Sequence, residues 1–149
     1  VIKDSYPNRP LYFTSGTYPR SLGLGPYVAT QGLVAKLFPT PIVADKRFVE
    51  IPGYGFFDLP RTDSLWAMYK APAALIRRGE WVDRASSDIP LRYIITAALL
   101  SDLTKATGDS AKSAQYLGTA MQMAHAARLE SVLGFTKEAP VGTDAPARH

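Results

Sequence analysis

The spacing of apolar residues predicts a helical second half of the chain. From Pro90 onward, apolar residues recur at intervals of three and four, the period of one helix face, whereas Thr96 falls on the other side. Asp88 is a candidate N-cap, and Gly108-Asp109 ends the pattern. The apolar positions of this first long helix are Leu91, Ile94, Ile95, Ala98, Leu99 and Leu103.

A second helix is predicted over residues 110–133, and the short connection makes the two helices antiparallel neighbours. This second helix has two apolar stripes, whereas its neighbour can cover only one. We therefore expect one stripe to pack on the front half of the chain or on a partner. One stripe consists of Leu117, Met121 and Ala124. The other, which is the stripe expected to pack in this way, consists of Tyr116, Ala120, Met123 and Ala127.

The front half is rich in proline and glycine, and its apolar runs are short. Residues 11–14 predict a buried strand, and residues 15–25 a loop. Pro26 is placed where a helix can start, and an apolar stripe continues to Phe38, which predicts a helix over residues 26–38. The stripe consists of Tyr27, Val28, Leu33, Val34, Leu37 and Phe38.

The middle of the chain predicts short extended segments followed by two short helices. Residues 42–44 and 48–51 are strands or extended, and residues 53–57 form an aromatic turn. Thr62 is a candidate cap for a helix through Tyr69, and Pro72 opens another that ends at Gly79.

These elements predict one α+β domain over residues 1–135. It has a small front sheet with one helix, then a mainly helical back half that ends in an antiparallel, tetratricopeptide-like helix pair. Residues 136–149 carry almost no large apolar side chains and predict an extended tail that becomes ordered only on a partner. Because Val1 is not an initiator methionine, we expect a processed or partial chain.

The amino-acid composition limits the kinds of site that the chain can form. The 149 residues contain no cysteine, which excludes disulfides, thiolate metal sites and cysteine nucleophiles. Only two histidines are present, and His125 has no acidic residue three or four positions away, so we expect no bound metal and no cofactor. The formal charge of +4 is spread along the chain and does not favour nucleic acid.

No motif in the sequence predicts an enzyme. Gly23-Leu24-Gly25 lacks the third glycine of a dinucleotide site, and Ser15-Gly16-Thr17 lacks the glycine-flanked serine of a hydrolase. Two pairs of carboxylates are spaced by five residues, but they lie among turn signals, which favours solvated caps over catalysis. These pairs are Asp58 with Asp63, and Asp83 with Asp88.

Two adjacent basic pairs, Arg77-Arg78 and Lys46-Arg47, have aromatic residues nearby. They are too few for a nucleic-acid surface but sufficient to orient docking on an acidic protein face or on acidic lipid headgroups. We therefore expect protein partners, with contact to a membrane surface allowed, and no small-molecule substrate.

Several segments, in order, resemble a bacterial family. Over these segments the chain is similar to the carboxy-terminal soluble part of large polytopic membrane proteins. The segments are Asn8 to Phe13, residues 22–24 through Tyr27 to residues 31–33, Phe38-Pro39, the turn at residues 51–55 and Arg61-Thr62. Those proteins are described as similar to protein O-mannosyltransferases, and their soluble part ends in tetratricopeptide-like helix pairs. The final Gly108-Asp109 helix pair also occurs in the family's order.

The resemblance implies a non-catalytic module. In that family the catalytic carboxylates lie in a membrane-domain loop that this sequence does not contain, so no catalytic residue is carried over. An isolated domain of this kind would act by binding, on the periplasmic side of the cytoplasmic membrane, as an accessory subunit of a membrane protein assembly. Among such assemblies, the chain looks most like a small extra subunit of a bacterial photosynthetic reaction centre and light-harvesting complex.

Two other functions remain open from the sequence. One is an acceptor-holding fragment of a lipid-sugar-dependent glycosyltransferase, and the other is a tetratricopeptide-like peptide-binding domain. A single helix pair is too short for the groove of repeat proteins, which favours docking through the proline-rich front and the tail. The residues predicted to bind a partner are Tyr18, Tyr54, Phe56, Phe57, Arg77, Arg78, Tyr116 and Met123.

Overall fold

The computed structural model describes residues 9–134, and the predicted tail therefore lies outside the described residues. These residues form a five-stranded sheet and five α-helices, with the second half mostly helical, which confirms the α+β class. The strands are β1 (Tyr12–Phe13), β2 (Val28–Gln31), β3 (Val34–Leu37), β4 (Phe48–Ile51) and β5 (Gly55–Asp58). The helices are α1 (Thr17–Ser21), α2 (Leu59–Trp66), α3 (Ala71–Arg78), α4 (Asp88–Ala106) and α5 (Ser110–Ala127).

The sheet has the order β1-β3-β2-β5-β4. Strands β2 and β5 are parallel, and the other neighbours are antiparallel. Leu37, at the end of β3, lies opposite Val28, whereas Phe48, at the start of β4, lies opposite Asp58. The connection between β3 and β4 must therefore run from one end of the sheet to the other.

The helix predicted over residues 26–38 is wrong. These residues form a 3₁₀ turn (Gly25–Tyr27) followed by the antiparallel hairpin of β2 and β3. The hairpin closes through Gly32 and Leu33, and Gly32 has φ 64°, a conformation that glycine adopts without steric cost. In β3, Ala35 and Leu37 are buried and their neighbours are half-buried, the alternation of a strand.

Four smaller expectations also differ from the structure. The predicted loop at residues 15–25 contains α1, and the predicted buried strand is a two-residue edge strand whose Tyr12 is exposed. Residues 42–44 form no strand, as the extended alternative allowed, whereas the predicted aromatic turn at residues 53–57 runs into β5, which begins at Gly55. Asp58 caps α2, while Thr62 is buried inside that helix and accepts a hydrogen bond from the Gly32 amide at 2.9 Å.

The helical half follows the prediction more closely. Helix α3 ends at Gly79, which has φ 77°, and α4 and α5 form the predicted antiparallel pair. Helix α4 begins at Asp88, one residue after its cap, and α5 ends at Ala127, followed by a 3₁₀ turn (Glu130–Leu133). Thr96, predicted to lie outside the apolar face, is buried because α4 is covered on more than one side.

One layer of the core lies between the sheet and the helices. Phe57 of β5 packs against Leu100 of α4 and Tyr116 of α5, and these side chains are buried. A second cluster joins α3, α4 and α5 through Leu75, Ile94, Ala97, Ala120, Met123, Ala124 and Ala126. The stripe of α5 that is predicted to pack on the front half or on a partner therefore packs within this chain, with Tyr116 against Phe57 of the front half and with Ala120 and Met123 against α3 and α4.

Candidate docking surface

Helix α1 presents two large apolar side chains to solvent. Tyr18 is 64% exposed and Leu22, just after the helix, is 56% exposed. Because they are four residues apart, they lie on the same side of this turn. Pro19 between them is fully buried and holds α1 against the rest of the chain.

A groove of about 490 Å³ lies beside α1. Its walls are largely apolar and come from the 3₁₀ turn, the β3–β4 connection and the β4–β5 hairpin. Phe56 in this groove is half-buried, so part of its ring is accessible to a partner. The charged residues at the groove are Arg20 and Glu50, and the apolar lining includes Pro26, Ile42, Ile51, Pro52 and Phe56.

Arg20 fixes α1 against the hairpin that lines the groove. Its Nη1 donates to the carbonyl of Gly53 at 3.0 Å and also to the carbonyl of Tyr54. Hydrogen bonds from a charged donor are stronger than neutral ones, so this contact orients Tyr18 and Leu22 relative to the groove. We call Tyr18, Leu22 and the groove the front surface.

The structure places only some of the predicted partner-binding residues at an accessible surface. Tyr18 is exposed, Phe56 lines the groove, and Tyr54 is half-buried beside a separate cavity. The other aromatic and methionine predictions need correction. Phe57 and Met123 are fully buried and Tyr116 is 7% exposed. Phe57 and Tyr116 belong to the core layer between the sheet and the helices, and Met123 belongs to the cluster that joins α3, α4 and α5.

The two adjacent arginines lie away from this surface. Arg77 and Arg78 occupy the last turn of α3 and are exposed, which suits the negative end of a helix dipole. Arg78 borders a different, mostly apolar cavity of about 320 Å³ with Leu75, Trp81 and Val82. The structure therefore does not bring the basic pair and the front aromatics into one site.

The first pair of spaced carboxylates is structural. Asp58 is fully buried, which corrects the expectation of a solvated cap, and its Oδ2 accepts from Gln31 at 2.8 Å and from Arg47 Nη2 at 3.0 Å. Asp63 accepts from Lys112 Nζ at 2.6 Å and from the Tyr116 hydroxyl. Each carboxylate is occupied by partners from the chain itself.

Electrostatic effects around Asp63 are consistent with this structural role. Burial would raise the pKa of Asp63, but the hydrogen bonds from Lys112 and Tyr116 outweigh burial and lower the pKa. Burial, together with the negative charge of Asp63, raises the pKa of Tyr116 well above its ordinary value. The pair thus favours a charged carboxylate and a neutral phenol in the folded state.

Of the second pair of carboxylates, Asp83 caps a 3₁₀ turn, whereas Asp88 lies in the first turn of α4 and caps no helix, which corrects its prediction as an N-cap. Asp83 accepts from the Ala85 amide at 3.0 Å and is exposed, and Asp88 is the first residue of α4. His125 Nδ1 lies 3.1 Å from Glu130 Oε1, a pairing five residues apart that helical spacing does not indicate. Within residues 9–134, no group of three metal-ligating side chains is found.

Sequence reasoning missed Leu22 and the groove. The sequence predicts a loop at Leu22-Gly23-Leu24, and the groove is lined by residues 20, 25–26, 42, 50–53 and 55–56, which no local pattern brings together. In the described part of the chain, none of the helices has the length and apolar character required to cross a bilayer. Neither a protein-family model, nor a curated protein, nor a solved structure matches the chain.

Proposed function

We propose that the chain is a non-catalytic interaction module, an accessory subunit that docks on a membrane protein assembly at the periplasmic side of the cytoplasmic membrane. The observation that carries this proposal is the front surface. Tyr18 and Leu22 are exposed one turn apart at α1, and Arg20 of the same helix lines a groove into which a partner side chain can insert. Exposed tyrosines of this kind are frequent anchors of protein interfaces.

The chemistry of the groove favours a protein segment as its occupant. Its lining carries one positive and one negative side chain, Arg20 and Glu50, and the rest is mostly apolar. A strongly acidic or basic ligand would therefore find no net opposite charge there. An extended partner segment with apolar side chains fits better, because its side chains could fill the groove.

The location and the class of partner are supported by the sequence resemblance alone. The similar family carries this type of domain outside the cytoplasmic membrane, and its catalytic loop lies in a membrane part that these residues do not contain. Among membrane assemblies, we propose a photosynthetic reaction centre and light-harvesting complex. An exposed tyrosine anchor contributes on the order of 2 kcal/mol to such an interface.

The test is co-purification of the full, tagged chain with solubilised membranes of its source organism. One variant carries Tyr18→Ser with Leu22→Ser, and another carries Phe56→Ser. The matched control carries Leu117→Ser with Met121→Ser, which also removes two exposed apolar side chains but on α5. Circular dichroism checks that all variants are folded.

We expect the full chain and the α5 control to migrate with one membrane complex of defined composition, and the front variants to be lost from it. Loss of one well-packed anchor should weaken binding by about tenfold or more. The proposal is wrong if the front variants remain bound while the α5 variant is released. It is also wrong if the full chain associates with no membrane complex.

A further inference from the structure

A second, smaller cavity lies on the other side of Arg20, between the sheet and helix α4. Its volume is about 100 Å³. The walls come from residues 14–17, from the β2–β3 hairpin, from Tyr54 and from one face of α4. Eight of the fourteen lining residues have polar side chains, and the hydroxyl-bearing ones are Thr14, Ser15, Thr17, Thr30, Tyr54 and Thr96.

Two arginines from distant parts of the chain line this cavity. Arg20 comes from α1 and Arg92 from α4. Each guanidinium is held by backbone carbonyls, since Arg20 Nη1 donates to Gly53 and Tyr54, and Arg92 Nη1 donates to Thr14. An arginine has five N–H donors, so both retain donors for a ligand after these contacts. The carbonyls hold the guanidinium groups in place before any ligand binds.

The charge of the cavity is positive. No aspartate or glutamate belongs to its lining. Within the described residues, the ion pairs are formed by Arg47, Lys112 and His125, and not by the two cavity arginines. Burial raises the pKa of Tyr54, while the charges of Arg20 and Arg92 oppose this rise, which places both charges near the phenol.

We propose that this cavity is a binding site for a small free oxyanion such as inorganic phosphate or sulfate. An oxyanion would accept hydrogen bonds from the guanidinium groups and the hydroxyls, and would offset two positive charges that share a confined space. This inference goes beyond docking and does not depend on it, because the lining residues other than Arg20 are separate from the front surface.

The volume of the cavity limits the size of its ligand. At about 100 Å³, the cavity can hold a few water molecules or one small oxyanion. Sites for larger organic ligands usually measure about 300–1,000 Å³. A nucleotide or a sugar phosphate therefore exceeds the space, and a phosphate on a lipid headgroup would carry its glycerol outside the cavity.

Binding would connect elements that are distant in sequence. Arg92 and Thr14 are 78 positions apart, and the oxyanion would join α1, the β2–β3 hairpin and α4 in one contact. A ligand that binds only the folded chain stabilises it by mass action. Inorganic phosphate should accordingly raise the melting temperature of wild type more than that of Arg92→Gln, a comparison in which the general stabilising effect of phosphate cancels.

The decisive experiment is a titration of the full wild-type chain with sodium phosphate, followed by amide chemical shifts and by thermal unfolding. Sodium chloride at matched ionic strength and glycerol 3-phosphate are the comparison arms. We expect saturable shifts at Gly16, Thr17 and Gly32, which line the cavity, and at least about tenfold weaker binding of glycerol 3-phosphate. Absence of saturable shifts, or equal shifts with chloride, overturns the proposal.

Glycerol 3-phosphate binding as tight as phosphate overturns the assignment to a free ion. A variant and its matched control then test Arg92. Arg92→Gln should weaken phosphate binding by about tenfold or more, as expected for the loss of a charged donor. Arg77→Gln removes the same charge from an exposed position on α3 and should leave binding unchanged. If both variants bind phosphate equally, Arg92 is not part of a site, and the proposal fails even if wild-type shifts are seen.

Discussion

Arg47 and Asp58 join the β3–β4 connection to the end of β5. Arg47 Nε and Nη2 lie 3.2 and 3.0 Å from the same carboxylate oxygen, Oδ2, which also accepts from Gln31 at 2.8 Å. The other oxygen accepts from the Arg61 amide at 3.3 Å and caps α2. One buried carboxylate thus links the crossing connection, β2, β5 and α2.

Removing this carboxylate should destabilise the fold strongly. In Asp58→Ala, the buried Gln31 amide loses its partner and α2 loses its cap, which together cost about 2–4 kcal/mol. Urea unfolding followed by circular dichroism measures the loss. Asp45→Ala, which removes an exposed capping carboxylate bonded to the Arg47 and Phe48 amides, is the control and should cost clearly less. Equal losses would mean that burial of Asp58 adds nothing.

The Asp63 contacts predict a loss of stability in acid. Hydrogen bonds from Lys112 and Tyr116 outweigh burial and hold the pKa of Asp63 below its ordinary value of 3.8. Such a group stabilises the fold above its unfolded pKa, and that contribution disappears as pH falls through the folded value. We expect the stability difference between wild type and Asp63→Asn to shrink below about pH 4.

Urea midpoints at several acidic pH values measure that difference. The pKa values of Asp45, Asp83 and Glu130 are also lowered, but these residues are the same in both proteins and cancel. A difference that stays constant down to the lowest pH would contradict the role assigned to Asp63.

At alkaline pH, we expect Tyr116 to make the stability of the fold depend on pH in the opposite direction. Burial, together with the hydrogen bond to Asp63, raises the pKa of Tyr116 above its ordinary value of 10.0. The folded state therefore favours the neutral phenol, and this contribution is complete below the unfolded pKa and is lost as pH rises above it. Relative to Tyr116→Phe, wild type should lose stability progressively as the pH rises above about 10. If the stability of wild type and of Tyr116→Phe changes in parallel over this pH range, the role assigned to Tyr116 is refuted.

Two glycines offer a matched test of the hairpin that replaced the predicted helix. Gly32 has φ 64°, and a Cβ there would overlap the Tyr69 hydroxyl, so Gly32→Ala should cost about 1–2 kcal/mol or more. Gly118 lies in α5 with open space around an added Cβ, so Gly118→Ala should stabilise by about 0.5–1 kcal/mol. Thermal unfolding of both variants measures the two changes in stability, which we expect to have opposite signs. Changes of the same sign would contradict the assignment of Gly32 to the turn of the hairpin.

Two methionines of α5 test which stripe faces the core. Met123 is fully buried among α3, α4 and α5, and Met123→Ala should cost about 2–5 kcal/mol. Met121, two residues earlier, is 46% exposed, and Met121→Ala should change stability by about 0.5 kcal/mol or less. Urea unfolding of the two variants gives the comparison. Similar losses would show that both stripes are covered.

Part of the fold follows from local signals. Gly79 ends α3 because glycine adopts the left-handed conformation that closes a helix, and Gly108-Asp109 separates α4 from α5 for a similar reason. The period of three and four in α4 indicates a helix whatever surrounds it. The front half was harder, because the apolar positions from Tyr27 to Phe38 fit a helix stripe, while the hairpin depends on pairing with β1 and β5.

The sequence by itself determined the α+β class, the terminal helix pair and the absence of cysteine chemistry. Only the tertiary structure decided which predicted aromatics are accessible: Tyr18 is exposed, whereas Phe57 and Tyr116 fill the core. It also decided that Arg20 and Arg92 share one cavity. The physical reason is that periodicity and capping act within a few residues, whereas burial and charge clustering depend on contacts between residues many tens of positions apart.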